Sequence, residues 1–526
     1  MAQENPVVVD YVLPDRKSPE LRARAPLPSY TLALLLGQTP ERLHGRPVVA
    51  RVHDERARGP YDPVRAAPDI LCLTYLTTGA PRAFQIGDAA MAARSHAGVP
   101  IRVVHGGVHA TCLPREALAH GNLVVRGEAD PAFQERVLAR ALEMDPWDRE
   151  VARIPVIPAV LRRPPADWSW MRRRDYFVAP SVQTSVGCPF HCDFCSVTQV
   201  FGAAMRAVDR DCLRQELSRI RRGTLVAVID DNFLQGIQPR HVEHCMDVAR
   251  LMREMGLRWV TEVTVRTLID ARRRLAREHP GFDLVRFFAQ HGCRGLFLGI
   301  ETVGDDGAGL PKARPCAEVL DIVRRCQDEG IGILGAFVLG LGPDETPDYA
   351  KRVLDFAIEK ARLDFAQFSI NTPMPGSRSF LCGIRDGTIL NFDWELYDAE
   401  HCVIRHPRMS PRQLEACHQW LYKEFYAHRS LRTRYPAAAL LSLRPSVWRR
   451  AAVGIPVNLA LRRANAAWNR RLARTPQRPP VPEPSPEALS HVRESLACCP
   501  SRPRDLYNLH EPADCGKATR TAGVAE

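Results

Sequence analysis

The sequence predicts an α/β protein in which a doubly wound parallel sheet is followed by an incomplete (β/α)6 barrel and a helical C-terminal extension. Three observations lead there. Short valine-rich stretches alternate with helical patterns over residues 1–150, and strands that alternate with helices pair in parallel. Six more strand–helix repeats occupy residues 176–375, which suits an open barrel better than a second flat sheet. Beyond Pro375 the strand signals stop and helical periodicity takes over.

In chain order, the first strands are expected at residues 6–13, 47–53, 69–76, 101–105 and 122–126, with helices at 80–96 and 131–144. This is a Rossmann-like arrangement, whose ligands bind outside the carboxyl ends of the strands. Those ends carry Thr77 and Thr78, then Gly106 and Gly107, then Gly127 and Glu128. Glycines there let a bulky ligand reach the backbone; turn chemistry explains any one of them taken singly. Residues 151–175 are proline-rich and read as a linker.

Barrel strands are expected at 182–186, 225–229, 258–265, 295–300, 333–339 and 365–370, with helices at 209–222, 239–255 and 316–329 among them. Residues 376–474 form the helical extension, including a helix over 410–425 that starts with Ser410-Pro411. The stretch 447–472 mixes tryptophans, leucines and arginine pairs. It suits a membrane interface, or two short packed helices parted at Gly454 and Pro456. Residues 475–526 are rich in proline and charge and are expected to be disordered.

Composition narrows the class. The 526 residues are 45% hydrophobic and 25% charged, with a net charge of +12, as in a globular protein of two or three domains. No apolar run approaches the ~20 residues that span a bilayer. The N-terminus lacks a basic-then-apolar secretory pattern, so a cytoplasmic protein is expected. The sixteen cysteines show no repeated framework, and in a reducing compartment clustered cysteines point to metal. Residues 444–478 hold many arginines and no Asp or Glu. This is either a solvated tail or a peripheral contact with a membrane; nucleic acid is not expected as a partner.

The first barrel strand is followed by Gly187-Cys188-Pro189-Phe190-His191-Cys192-Asp193-Phe194-Cys195. Three cysteines in one short loop can face a common point. A four-iron cubane held by three thiolates keeps one iron open to another molecule. Pro189 and Phe194 would stiffen and shield the loop. A zinc site is the alternative, but it favours four ligands in paired Cys-x2-Cys spacing. His191, next to Cys192, is expected to point away. Unliganded core cysteines are the other alternative, although no apolar run surrounds these three.

This loop resembles the radical S-adenosylmethionine (SAM) superfamily, where Cys-x3-Cys-x2-Cys with an aromatic before the third cysteine follows the first barrel strand. The resemblance implies that Cys188, Cys192 and Cys195 ligate a [4Fe–4S] cluster whose open iron is chelated by SAM. One electron then cleaves SAM to methionine and a 5′-deoxyadenosyl radical. It also implies SAM contacts from Phe194, from Asp230 and Asp231 at the second strand end, from Glu301 at the fourth, and from Gly340 at the fifth. An Asp-Asp-Asn at a strand end also serves as a helix cap.

A doubly wound domain ahead of such a barrel is similar to the cobalamin (B12)-binding subgroup. The likeness is carried by segments 77–84, 106–111 and 125–130, then 371–377, Asp393-Trp394 and 408–411, over roughly residues 45–430. It implies cobalamin contacts from Thr77, Thr78, Gly106, Gly107, His109, Gly127 and Glu128. It implies a small or lipophilic substrate, an electron donor such as flavodoxin or ferredoxin, and methyl transfer to an unactivated carbon. A non-methylating radical reaction such as oxidative ring closure is the alternative, and a non-catalytic cobalamin- or metal-binding regulator is the third. One departure stands out. The Asp-x-His-x-x-Gly loop that supplies a cobalt ligand in some cobalamin proteins reads Pro14-Asp15-Arg16-Lys17-Ser18 here. His53 and His109 are the histidines at other strand ends.

Overall fold

The computed structural model describes residues 5–16, 27–128, 131–153, 160–176, 180–304, 310, 312–442, 444–472, 489–490 and 492. Its first seven strands are β1 (Val7–Leu13), β2 (Arg42–Leu43), β3 (Arg46–Asp54), β4 (Ile70–Thr74), β5 (Arg102–Gly106), β6 (Leu123–Arg126) and β7 (Glu150–Arg153). They form one sheet in the order β2-β3-β1-β4-β5-β6-β7. Only β2 pairs antiparallel; the others are parallel. Strand order changes direction between β1 and β4, the switch point where such sheets open a crevice. Side chains alternate between two cores: Val7, Val9 and Tyr11 pack on one face, Val12, Leu71 and Leu73 on the other. Strand β7 is an element the sequence pattern does not announce. Its four residues Glu-Val-Ala-Arg are half charged, as suits a short edge strand. The helix expected over 80–96 stops at Met91, because the chain turns at Ser95, whose amide donates to the Val99 carbonyl at 2.8 Å.

The second half has β8 (Val160–Leu161), β9 (Ser181–Val182), β10 (Ser185–Val186), β11 (Arg206–Val208), β12 (Leu225–Val228), β13 (Arg258–Thr264), β14 (Cys293–Glu301), β15 (Gly332–Leu339) and β16 (Phe365–Ile370). Six of them run β9-β12-β13-β14-β15-β16 in sequential, parallel order, the expected open barrel. The first strand differs from expectation. Residues 182–186 split into β9 and β10, and β10 joins a small sheet with β11 and β8. Thr184 breaks the strand: its amide and hydroxyl both donate to the Asp230 carboxylate at 2.6 Å instead of to a neighbouring strand. The helix expected over 209–222 is also shorter, Arg210–Ser218.

An open barrel leaves β16 with an unpaired edge, which costs hydrogen bonds. The helix Pro411–Phe425 and the residue after it close that edge with side chains. The Tyr426 hydroxyl donates to the Ala366 carbonyl at 2.9 Å and accepts from its amide at 3.3 Å. The Tyr422 hydroxyl accepts from the Phe368 amide at 3.3 Å, and His418 donates to the Phe368 carbonyl at 3.0 Å. Ser410 caps this helix in a reciprocal box with Gln413.

The extension is less helical than its sequence predicts. Between Pro375 and Ser410 the regular helix is Arg378–Arg385, with a short 3-10 turn at Trp394–Leu396. This segment folds back on the N-terminal sheet, sharing a core with Leu71, Leu73 and Val103 through Phe380, Ile389, Trp394 and Tyr397. The stretch 447–472 is one continuous helix, Pro445–Leu472, with Pro456 inside it, and not two. A buried polar group holds both halves to the barrel. Arg450 pairs with Asp364 at 2.9 Å, and Asn458 donates to the Asp364 and Gly454 carbonyls at 3.0 and 2.7 Å. Apart from residues 489, 490 and 492, the expected disordered tail lies outside the described residues.

Candidate active site

The cysteine loop is clamped from several sides. Gly187 has φ 98°, and a Cβ there would sit 2.6 Å from the Ala204 carbonyl oxygen, so only glycine fits. Its amide donates to Asp231 at the end of β12 at 2.8 Å. The Cys188 amide donates to the Gly202 carbonyl at 3.1 Å, and the Thr198 hydroxyl to the Phe190 carbonyl at 2.8 Å. From the C-terminal segment, the Ser379 amide donates to the Asp193 carbonyl at 2.8 Å. Cys192 is buried and Cys188 and Cys195 are half-buried, while His191 faces solvent.

The three thiols share one electrostatic environment. Burial pushes Cys188 up to about 12 and Cys192 up to about 11, and raises Cys195; the Lys312 ammonium opposes the rise in all three. Such thiols need a metal to displace their protons. Among the described residues no three His, Cys, Asp or Glu side chains converge tightly enough to hold one metal ion.

Around the loop stands a set of charges at the barrel strand ends. The Lys312 ammonium pairs with Glu301 and lies 5.8 Å from the centre of the Phe194 ring. Opposing charges hold this lysine above its ordinary range although burial pulls it down. Glu301 has φ 65°, a left-handed backbone that costs a non-glycine residue about 1–2 kcal/mol. Glu262 lies in register with Phe297, Leu334 and Phe365 across the barrel lumen. The Glu262 side chain is open to solvent in the lumen, yet the protein packed around it raises its carboxyl to about 7. Burial also raises Asp231 to about 7, against the pull of the Gly187 amide.

Two residues expected at SAM also carry structural bonds. Asp230 is buried; its Oδ1 accepts from the Thr184 amide and its Oδ2 from the Thr184 and Ser185 hydroxyls. Gly340 has φ 77°, its amide donates to Glu345 at 2.7 Å, and Leu414 and His406 cover its outer side. Glu262 and Lys312 are what the sequence reading missed. A lone charge inside a strand destined for burial was a usable signal for Glu262; Lys312 has no local signal and is found only through its contacts.

At the switch point a cavity of about 460 Å³ opens over the carboxyl ends of β1, β4, β5 and β6. Gly106, Gly107, Gly127 and Glu128 line it, and a Cβ on Gly106 would meet nothing within 4 Å. Gly107 is held by sterics, since its Cβ would lie 2.6 Å from the Tyr75 carbonyl oxygen. Glu128 pairs with Arg206 across to the barrel half. Thr77 and Thr78 are not part of the lining; Tyr75 and Leu76 before them are. His109 is also elsewhere. It is buried, bonded to Glu116 at 3.1 Å and packed on Trp394. His53 bonds the Gly59 carbonyl at 2.8 Å. Val186, Val200 and Phe201, which flank the cysteine loop, wall the far side of the cavity.

Barrel, cysteine loop and switch-point cavity together share the layout of radical SAM enzymes with an N-terminal cobalamin-binding-like domain, and comparisons with known proteins point the same way. No protein-family model matches the chain. It is 25% identical over 390 residues to an uncharacterized methyltransferase of Pyrococcus horikoshii, covering 68% of this chain and 79% of the relative. It is 24% identical over 446 residues to the bacteriochlorophyllide d C-8(2)-methyltransferase of Chlorobaculum tepidum, covering 80% and 91%. Likeness to the hopanoid C-3 methylase of Methylococcus capsulatus is 26% over 362 residues, 64% of each. Among solved structures, the cobalamin-dependent SAM radical enzyme OxsB, with aqua-cobalamin and SAM bound, superposes with a TM-score of 0.60 at 12% identity, over 94% of this chain and 84% of that one. The radical SAM methyltransferase TsrM from Kitasatospora setae, with cobalamin and a [4Fe–4S] cluster bound, gives 0.53 at 15% identity, over 72% and 79%. The expected α/β architecture is thus the fold of these enzymes.

Proposed function

We propose that this chain is a cobalamin-dependent radical SAM methyltransferase that methylates an unactivated carbon of a small or lipophilic metabolite. The observation that carries the reading is adjacency: residues on either side of the cysteine loop form the far wall of the switch-point cavity. A [4Fe–4S] cluster on the loop and cobalamin in the cavity would therefore be neighbours. Curated relatives named as methyltransferases support the reading. Bound there, cluster and SAM supply a one-electron route to an organic radical, and cobalamin supplies a transferable methyl group.

The chain's own residues give position, charge and exclusion of water. Cys188, Cys192 and Cys195 hold the cluster. Asp231 fixes the loop through Gly187, and Phe194 shields it. Lys312 places one positive charge beside the thiolates. Phe297, Leu334 and Phe365 follow Glu262 in register from strand to strand, and a bound substrate would complete the exclusion of water from a reactive intermediate. A one-electron carrier such as flavodoxin or ferredoxin serves as the donor.

A non-methylating radical reaction is the second reading. It draws on the cobalamin-dependent SAM radical enzyme OxsB, whose fold aligns over 94% of this chain. Reconstitution with iron, sulfide and hydroxocobalamin, followed by turnover with methyl-labelled SAM, separates the two. Labelled methyl in product supports methyl transfer; 5′-deoxyadenosine with no methylated product supports the second reading.

A further inference from the structure

The helix Pro445–Leu472 carries more apolar surface than its packing uses. Its inner side is committed to the barrel: Ala451 and Asn458 are buried, and Gly454 lies against Tyr435. Its outer side still exposes Trp448, Ala452, Val453, Pro456 and Ala460, which at about 100° per residue all fall within roughly 140° of one side of the helix and form a broad stripe opposite the buried residues. Trp448 is 47% and Val453 58% exposed, and Leu441, just before the helix, is 78% exposed. Scattered exposed apolar residues need no explanation, but a stripe of them does.

The charge around this stripe has one sign. Arg444, Arg449, Arg462 and Arg463 are exposed, and no Asp or Glu occurs from residue 444 to 478. Arg450 is taken by Asp364, and Arg444 has Asp328 at 3.6 Å. Arg449, Arg462 and Arg463 have no acidic partner among the described residues; Arg449 bonds only its own helix, at Pro445. Among the described residues, no helix is long and apolar enough to cross a membrane.

We propose that the outward face of this helix docks on an anionic lipid bilayer. Tryptophan and aliphatic side chains enter the headgroup boundary, while the arginines extend their charge to lipid phosphates. A nucleic acid would use the arginines but give the apolar stripe no role. The helix is anchored at Asp364, the residue before β16 starts, which is the barrel end away from the cysteine loop. Docking therefore tethers the enzyme and leaves the mouth of the barrel free.

The test is co-sedimentation of the full, cluster-reconstituted chain with vesicles of phosphatidylcholine alone or mixed with phosphatidylglycerol. Binding is expected to the mixed vesicles only. Trp448→Ala with Val453→Ser should weaken it about tenfold, and Arg449→Gln, Arg462→Gln and Arg463→Gln together about a hundredfold. Cluster absorption and circular dichroism should stay unchanged in both variants. The proposal is overturned if the intact chain ignores mixed vesicles. It is equally overturned if the apolar variant binds them as wild type does, or if an RNA homopolymer binds the wild type and the apolar variant alike and strips both from vesicles.

Discussion

Glu301 and Lys312 form an ion pair shielded from solvent at the carboxyl end of β14, with the ammonium over the ring of Phe194. The pair joins a strained strand end to the cysteine loop. Removing one partner strands a buried charge. Lys312→Met should therefore destabilise the cluster-free chain by about 3 kcal/mol, and Glu301→Gln with Lys312→Met should recover most of that. Urea unfolding of the four proteins measures it; additive losses would contradict a coupled pair.

The protein around Asp231 and Glu262 pushes both carboxyls up to about 7, above the ordinary 3.8 and 4.5, chiefly by desolvation. The unfolded chain gives up these protons at lower pH than the folded one. Stability of the cluster-free protein should therefore fall as pH rises from about 4 to about 7, then level off. Asp231→Asn and Glu262→Gln should each flatten part of that fall. Denaturation midpoints across the window decide, and slopes identical to wild type would refute the assignment.

Gly106 and Gly107 are neighbours with opposite expected behaviour. A side chain on Gly106 enters open cavity, whereas one on Gly107 meets the Tyr75 backbone and a φ of 92°. Gly106→Val should keep thermal stability and lose cobalamin retention on gel filtration. Gly107→Ala should lose stability, by about 1–3 kcal/mol. Equal retention of cobalamin by Gly106→Val and wild type would place the ligand elsewhere.

Tyr426 closes the open edge of the barrel by serving both backbone groups of Ala366. Tyr426→Phe leaves them unpaired in a buried place and should cost about 1–3 kcal/mol. Hydrogen exchange should quicken at Ala366. A silent substitution would mean that the edge is not held this way.

Much of the fold is legible in the sequence. Strands β12 to β16 fall within a few residues of expectation, because each is an apolar run with polar turn residues beyond it. The cysteine loop was legible because three thiols in eight residues have few other uses. What escaped depends on long-range contacts. The break at Thr184 exists because Asp230 reaches back to it from another strand, and no local pattern encodes that. His109 sits at a strand end by sequence, yet Trp394 folds over it from far along the chain. Helix Pro445–Leu472 runs through Pro456 although local propensity argues for a break, since packing on Asp364 overrides it.

The central claim is that Cys188, Cys192 and Cys195 hold a cubane with one open iron. The direct measurement is iron and sulfide content of the anaerobically reconstituted chain, with the electron paramagnetic resonance of its reduced state before and after SAM is added. The account predicts about four irons and four sulfides per chain, a signal altered by SAM, and loss of both in the Cys188→Ala, Cys192→Ala, Cys195→Ala triple variant. A colourless protein loaded with zinc, or a triple variant that keeps its iron, would contradict it.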